Sequence, residues 1–92
     1  MEKRTFELKF TKIAQKDVEK VKKQKTLSKK LYSLLEIVKK NPFEPYPEYE
    51  KLLGDLKDKY SRRINRQHRL VYEVCEVEHV VKVLSVWTHY ER

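Results

Sequence analysis

A chain of 92 residues has room for one compact domain, spanning 1–92, because at this size folding buries only about 60% of the surface that the unfolded chain exposes. Leu, Ile, Val and Phe number 26 of 92, above the roughly one-fifth below which a highly charged chain stays disordered, so a small core is expected. The 22 Lys and Arg against 14 Asp and Glu leave +8, a balance that favours polyanionic partners, and no run approaches the ~18 apolar residues of a membrane span.

Thr5-Phe6-Glu7-Leu8-Lys9-Phe10 alternates apolar and polar side chains and predicts a strand with one buried face. Thr11 can cap a following helix, in which Ile13, Ala14, Val18 and Val21 recur at helical spacing through about Gln24. Thr26 or Ser28 can cap a second helix, and its Leu27, Leu31, Leu34, Leu35 and Val38 form the cleanest apolar stripe in the chain. Lys39 and Lys40 suit the negative end of its dipole, and Asn41-Pro42 ends it. Residues 42–50 carry all three prolines, which forbid a central strand or a helix interior, so a loop with aromatic anchors is expected. Lys51–Leu56 is ambiguous, with Gly54 marking a turn. Strands then follow over Tyr60–Asn65, His68–Val74 and Val80 to about Thr88, rich in β-branched and aromatic residues.

The order β-α-α-β-β-β implies an α+β layer: a mostly antiparallel, twisted sheet with two helices packed on one face and the other face partly open. If the reversal between the Tyr60 and His68 strands spans residues 65–67, Arg63 and Arg69 pair across the hairpin and share a face. A two-residue turn would separate them. Residues 1–40 hold 13 basic and 5 acidic side chains, a net +8, whereas residues 41–92 hold 9 of each. Inside that neutral half lies one basic cluster, Lys57, Lys59, Arg62, Arg63, Arg66 and Arg69. Lys12, Lys16, Lys20, Lys22, Lys23 and Lys25 read either as a solvated helix face or as a surface that also meets RNA.

Cys75 is the single cysteine and sits in an apolar run, so it reads as a buried small hydrophobe. Met1-Glu2-Lys3-Arg4 leads into an alternating segment without a signal-peptide core, and a cytoplasmic protein is expected. The histidines, His68, His79 and His89, lie 11 and 10 residues apart with no second cysteine, which argues against a metal site; no cofactor is expected. One glycine cannot build a phosphate loop, and no serine sits in a nucleophile elbow. His79 lies in an acidic turn and reads as solvated, and His68 as a strand residue hydrogen-bonded to backbone. His89 differs, sitting in Trp87-Thr88-His89-Tyr90 at the end of the last strand.

The segments Asn41-Pro42-Phe43-Glu44, Tyr49-Glu50-Lys51-Leu52, Tyr60-Ser61-Arg62-Arg63-Ile64-Asn65-Arg66-Gln67-His68-Arg69-Leu70-Val71-Tyr72 and Thr88-His89-Tyr90-Glu91 together resemble the Txe/YoeB family of toxins, within the RelE/ParE superfamily of bacterial toxin–antitoxin modules. The resemblance covers residues 41–92 at motif level, and the β-α-α order of the first 40 agrees with a RelE-like fold. It implies a toxin of a type II module that acts as a metal-independent, ribosome-dependent endoribonuclease on mRNA and is neutralised by a cognate acidic antitoxin, with a homodimer as a further form. Position by position, it implies Glu50 as general base, Arg63 and Arg69 as phosphate-binding arginines, His89 as general acid and Tyr90 beside it in the site. Lys51, Arg62 and Arg66 are further candidates for phosphate contact. Where the family has a lysine three residues after the glutamate, Leu53 stands here, with Lys51 the nearest substitute.

The chemistry asks for these residue types on its own account. RNA cleavage without metal uses the adjacent 2′-OH as nucleophile, so a protein must take its proton, neutralise a phosphate gaining charge and protonate the departing 5′-oxygen. A carboxylate, arginines and an imidazole meet those needs. A free glutamate is a weak base, so burial by the Tyr46 and Tyr49 loop or placement of the RNA by the ribosome must compensate. Two other readings remain: a non-catalytic RNA- or ribosome-binding module in which Tyr46, Tyr49, Trp87 and Tyr90 stack on bases, and a ParE-like toxin that inhibits gyrase.

Overall fold

The computed structural model describes residues 5–46, 48–52 and 59–86. In chain order the elements are β1 (Glu7–Phe10), α1 (Lys12–Lys22), α2 (Lys25–Lys40), β2 (Tyr49–Lys51), β3 (Lys59–Arg63), β4 (Arg69–Cys75) and β5 (Val80–Ser85). The strands form one mixed sheet in the order β1-β5-β4-β3-β2, with β1 parallel to β5 and the other pairs antiparallel. The α+β class with two helices against the sheet is as the sequence predicts, and β2 is an additional strand. It lies at the sheet edge, which is how a strand follows a proline-rich loop without needing a full hydrogen-bond ladder. Gly54 lies outside the described residues, as does the expected end of the last strand at Thr88.

Thr11 starts α1 and ties it to the sheet at the same time. Its hydroxyl accepts from the Ala14 N–H at 3.0 Å and donates to the Leu84 carbonyl at 3.0 Å, while its own N–H donates to Val83 O at 3.1 Å. Leu84 is the residue skipped in the β4–β5 register, where Val71 pairs with Ser85 and Tyr72 with Val83, so its carbonyl finds its partner outside the ladder. The inward face of α1 is Ala14, Asp17 and Val21 with Val18 half-buried; Ile13, expected inside, is 64% exposed. Asp17 takes the inward place because its carboxylate has a partner there: Oδ2 accepts from the Val86 N–H at 3.0 Å.

Helix α2 begins earlier than the Thr26 or Ser28 caps predict. Gln24 occupies the cap position with no side-chain hydrogen bond; its N–H donates to Val21 O of α1, and its own carbonyl accepts the first bond of the new helix from Ser28 N. Leu27, Leu31, Leu34, Leu35 and Val38 are all buried, as their spacing requires. They meet Leu70 and Tyr72 of β4 and Val81 and Val83 of β5, which alternate inward with the strand period, to make the core. Each such aliphatic side chain contributes roughly 1.5–3 kcal/mol by leaving water. The residues that alternate with them along these strands, beginning with Arg69, face the other side of the sheet.

Candidate active site

The β3–β4 hairpin is shaped by Asn65. Its Oδ1 accepts from the backbone N–H groups of Gln67 and His68, each at 2.8 Å, and from His68 Nδ1 at 3.0 Å. An oxygen already accepting two backbone donors takes a third, so the imidazole proton is assigned to Nδ1. Ile64 N donates to His68 O at 2.8 Å and closes the turn, leaving residues 65–67 at its tip. His68 is 6% exposed and serves this turn, bonded to a side chain rather than to backbone alone. The three-residue reversal puts Arg63 directly opposite Arg69, on one face of the sheet, as the sequence parity predicts.

Those two arginines open onto a cleft of about 530 Å³. The turn adds Asn65 and Arg66, β3 adds Ser61, and the edge strand adds Glu50 with Glu48 just before it. Glu50 pairs with Ser61 across β2 and β3, and its Oε1 lies 3.6 Å from Arg69 Nη1. The same nitrogen donates to Ser61 Oγ at 3.4 Å. Arg69 is thus held between a buried hydroxyl and a carboxylate while its side chain remains 31% exposed. The Glu50 side chain is 68% exposed, so the Tyr46 and Tyr49 loop does not bury it, and Tyr46 itself points to solvent. Chemically, the cleft offers three guanidinium groups, two exposed carboxylates and hydroxyl and amide dipoles. A set of this kind has the chemistry to bind a phosphodiester and to take a proton beside it.

Arg62 is not part of this surface. Alternation along β3 turns it to the helix side of the sheet, where it is fully buried. Its Nε donates to the Tyr72 hydroxyl at 2.9 Å, and its Nη2 donates to the carbonyls of Pro42 at 3.0 Å and Glu44 at 2.9 Å. The guanidinium also lies 5.0 Å from the centre of the Tyr49 ring. A phosphate cannot reach it, which corrects its expected role in phosphate contact. Tyr72 in turn donates to Pro42 O at 2.8 Å, and burial raises its hydroxyl pKa, opposed in part by the hydrogen bond and charge of Arg62. Lys51 is exposed but stands one residue from Glu50 on a strand, on the opposite face and outside the cleft lining.

The description "YoeB-like toxin of bacterial type II toxin-antitoxin system" matches residues 10–90 of this chain. The chain belongs to that family. A curated Toxin YoeB from Synechocystis sp. is 34% identical over 68 residues, which is 74% of this chain and 77% of that protein. Among solved structures, a YoeB/ParE toxin from Agrobacterium tumefaciens is 29% identical with a TM-score of 0.84, over 91% of this chain and 99% of that one. A YoeB–YefM complex from Staphylococcus aureus is 34% identical with a TM-score of 0.79, over 92% and 98% of the two chains. A YoeB dimer from the same organism is 34% identical with a TM-score of 0.80, over 94% and 99%.

Of the residues that the YoeB resemblance singled out, Glu50, Arg63, Arg66 and Arg69 converge on the cleft. His89 and Tyr90 lie outside the described residues, as do Trp87, Leu53 and Lys57. The described chain ends at Val86, the residue whose N–H Asp17 holds. Sequence reading missed Glu48, Ser61 and Asn65. Glu48 was legible in principle, because it stands two residues from Glu50 and so on the same side of an extended segment. Asn65 was legible as a turn-forming side chain, whereas the burial of Ser61 beside Arg69 appears only once the register is known.

Proposed function

We propose that this protein is a ribosome-dependent mRNA endoribonuclease, the toxin half of a type II toxin–antitoxin pair acting in the cytoplasm without metal or other cofactor. Glu50 takes the proton of the 2′-OH at the cut site, and the 2′-oxygen attacks the adjacent phosphorus. Arg63, Arg66 and Arg69 neutralise the charge that the phosphate oxygens gain. The bond from phosphorus to the 5′-oxygen breaks as His89 supplies that oxygen with a proton, with Tyr90 beside it. The products are a 2′,3′-cyclic phosphate and a 5′-OH. Each proton-transfer role is worth roughly 10²–10⁴-fold in rate.

The observation that carries the reading is the pairing of Arg63 with Arg69 across one open cleft that also holds Glu50. Opposing like charges costs stability, and a site that must grip a phosphodiester has a use for them. Exposure of Glu50 leaves it free to meet RNA, and placement of the substrate by the ribosome then makes a weak base sufficient. By analogy with the Staphylococcus aureus YoeB–YefM complex and YoeB dimer, the partners are an acidic antitoxin and a second copy of this chain. An acidic, partly disordered segment suits a surface of +8.

The test is purified protein with translating ribosomes and a defined message. Cut ends bearing the cyclic or 3′-phosphate and 5′-OH are expected, and a 2′-deoxy nucleotide at the cut site should abolish them. Ribosome binding without such ends would establish the non-catalytic module, and gyrase inhibition without cleavage would establish the ParE-like alternative.

A further inference from the structure

We propose that Arg62 is a positioning residue that pins the register of the edge strand carrying Glu50. This rests on the nuclease reading for its consequence in catalysis, but its structural half stands alone. Strand β2 comprises only Tyr49, Glu50 and Lys51, follows a proline-rich loop and, among the described residues, has a neighbour on one side only. Such a strand specifies its own register weakly, and a slip of one residue would exchange the faces of Tyr49 and Glu50. Glu50 would then leave the cleft.

Arg62 opposes that slip from beneath. It pairs with Tyr49 in the β2–β3 register, and its guanidinium lies against the Tyr49 ring. Phe43 and Tyr60 close around the same ring, with centroids 6.3 and 5.6 Å from it. The donors of Arg62 meanwhile hold the carbonyls of Pro42 and Glu44 and the Tyr72 hydroxyl, fixing where the loop enters the strand. An apolar side chain could fill this space without burying a charge, so a buried arginine here points to a job of orientation. Its planar fork reaches several acceptors in fixed directions, which a lysine ammonium cannot do.

The experiment compares Arg62→Lys, Tyr72→Phe, Glu50→Gln and the Arg62→Lys/Glu50→Gln double variant in the full chain. Amide exchange reads the strand directly. The Leu52 N–H, which donates to Lys59 O, should exchange at least tenfold faster in Arg62→Lys and severalfold faster in Tyr72→Phe, while the amides of β5 keep their protection. Single-turnover cleavage on ribosomes at saturating Arg62→Lys should fall at least tenfold, with binding of a 2′-deoxy message changed less than twofold. The double variant should be no slower than Glu50→Gln alone, because the two losses act through one carboxylate.

Unchanged Leu52 exchange in both single variants, or rate losses that multiply in the double variant, would overturn the proposal. Should Arg62→Lys fail to fold, Tyr72→Phe removes one oxygen from the clamp and carries the same comparison. A Glu50→Gln protein that cleaves at the wild-type rate would refute the base assignment instead, leaving amide exchange to decide the role of Arg62.

Discussion

Replacing Arg63 with glutamine should move stability and activity in opposite directions. Arg63 is exposed, faces Arg69 across the hairpin, and has no ion pair among the described residues. Directly opposed cross-strand side chains have Cβ atoms about 4.5–5.5 Å apart. Two unit charges ~7 Å apart in water repel by about 0.6 kcal/mol before salt screening. Removing one of them should therefore stabilise the fold by about 0.5 kcal/mol, which for a domain of this size raises Tm by roughly 2–4 °C. The cleft meanwhile loses one donor to the phosphate in the transition state, a change that costs about 10²–10³-fold in rate.

Thermal melts at low and high salt, run beside single-turnover cleavage on ribosomes, measure both quantities. The gain in Tm should shrink as salt rises, since the repulsion it relieves is a surface one. A variant that melts lower and cleaves more slowly together would mean that Arg63 supports the fold. One that cleaves at the wild-type rate would remove the arginine pair from the mechanism.

Asp17→Ala leaves the buried Val86 N–H without its acceptor and should destabilise by about 1–3 kcal/mol in urea, whereas Asp17→Asn keeps a carbonyl oxygen there and should lose less; equal losses would discount that bond. Reversing charge at Lys16 and Lys23 should slow association with ribosomes severalfold at low salt, with the difference gone near 1 M, and no effect at any salt would mark this helix face as merely solvated. Burial holds the Tyr72 hydroxyl above its ordinary value of 10.0, so on raising pH the unfolded phenol ionises first. The stabilisation is whole below about pH 10 and is lost as pH climbs through the folded value, so Tyr72→Phe should show a shallower alkaline decline in denaturant midpoint than wild type.

The elements legible in the sequence were those whose side chains repeat with a clear period. The five apolar residues of α2 recur at helical spacing and all reach the core, and alternation in Leu8 to Phe10 and in Val81 to Val83 marks strands directly. What escaped depends on partners distant in the chain. Asp17 reads as a polar residue on an amphipathic helix until Val86 is brought against it. Strand β2 has three residues and no alternation long enough to detect, and it exists because β3 offers an unpaired edge. The cap of α2 escaped for a local reason: the chain passes from α1 into α2 through the Gln24 N–H bond to Val21 O, so the helix is under way at Lys25, before Thr26 or Ser28 could stand at its start.

The adjacent pair Arg62 and Arg63 shows how one residue type acquires two functions. Composition and motif treat the two alike, and both read as phosphate contacts in a basic cluster. Strand geometry separates them by half a turn, and what lies on each face then decides the outcome. Toward the helices, the loop after α2 ends in carbonyls at Pro42 and Glu44 that need donors, so the arginine there is consumed by structure. Toward the open face, the hairpin brings a second guanidinium opposite the first, and neither can be satisfied by the other. The same residue type therefore organises the interior as Arg62 and remains available to an incoming anion as Arg63. Alternation divides the two arginines, and the three-residue length of the Asn65 turn then completes the cleft, because a reversal shorter by one residue would have broken the pairing of Arg63 with Arg69.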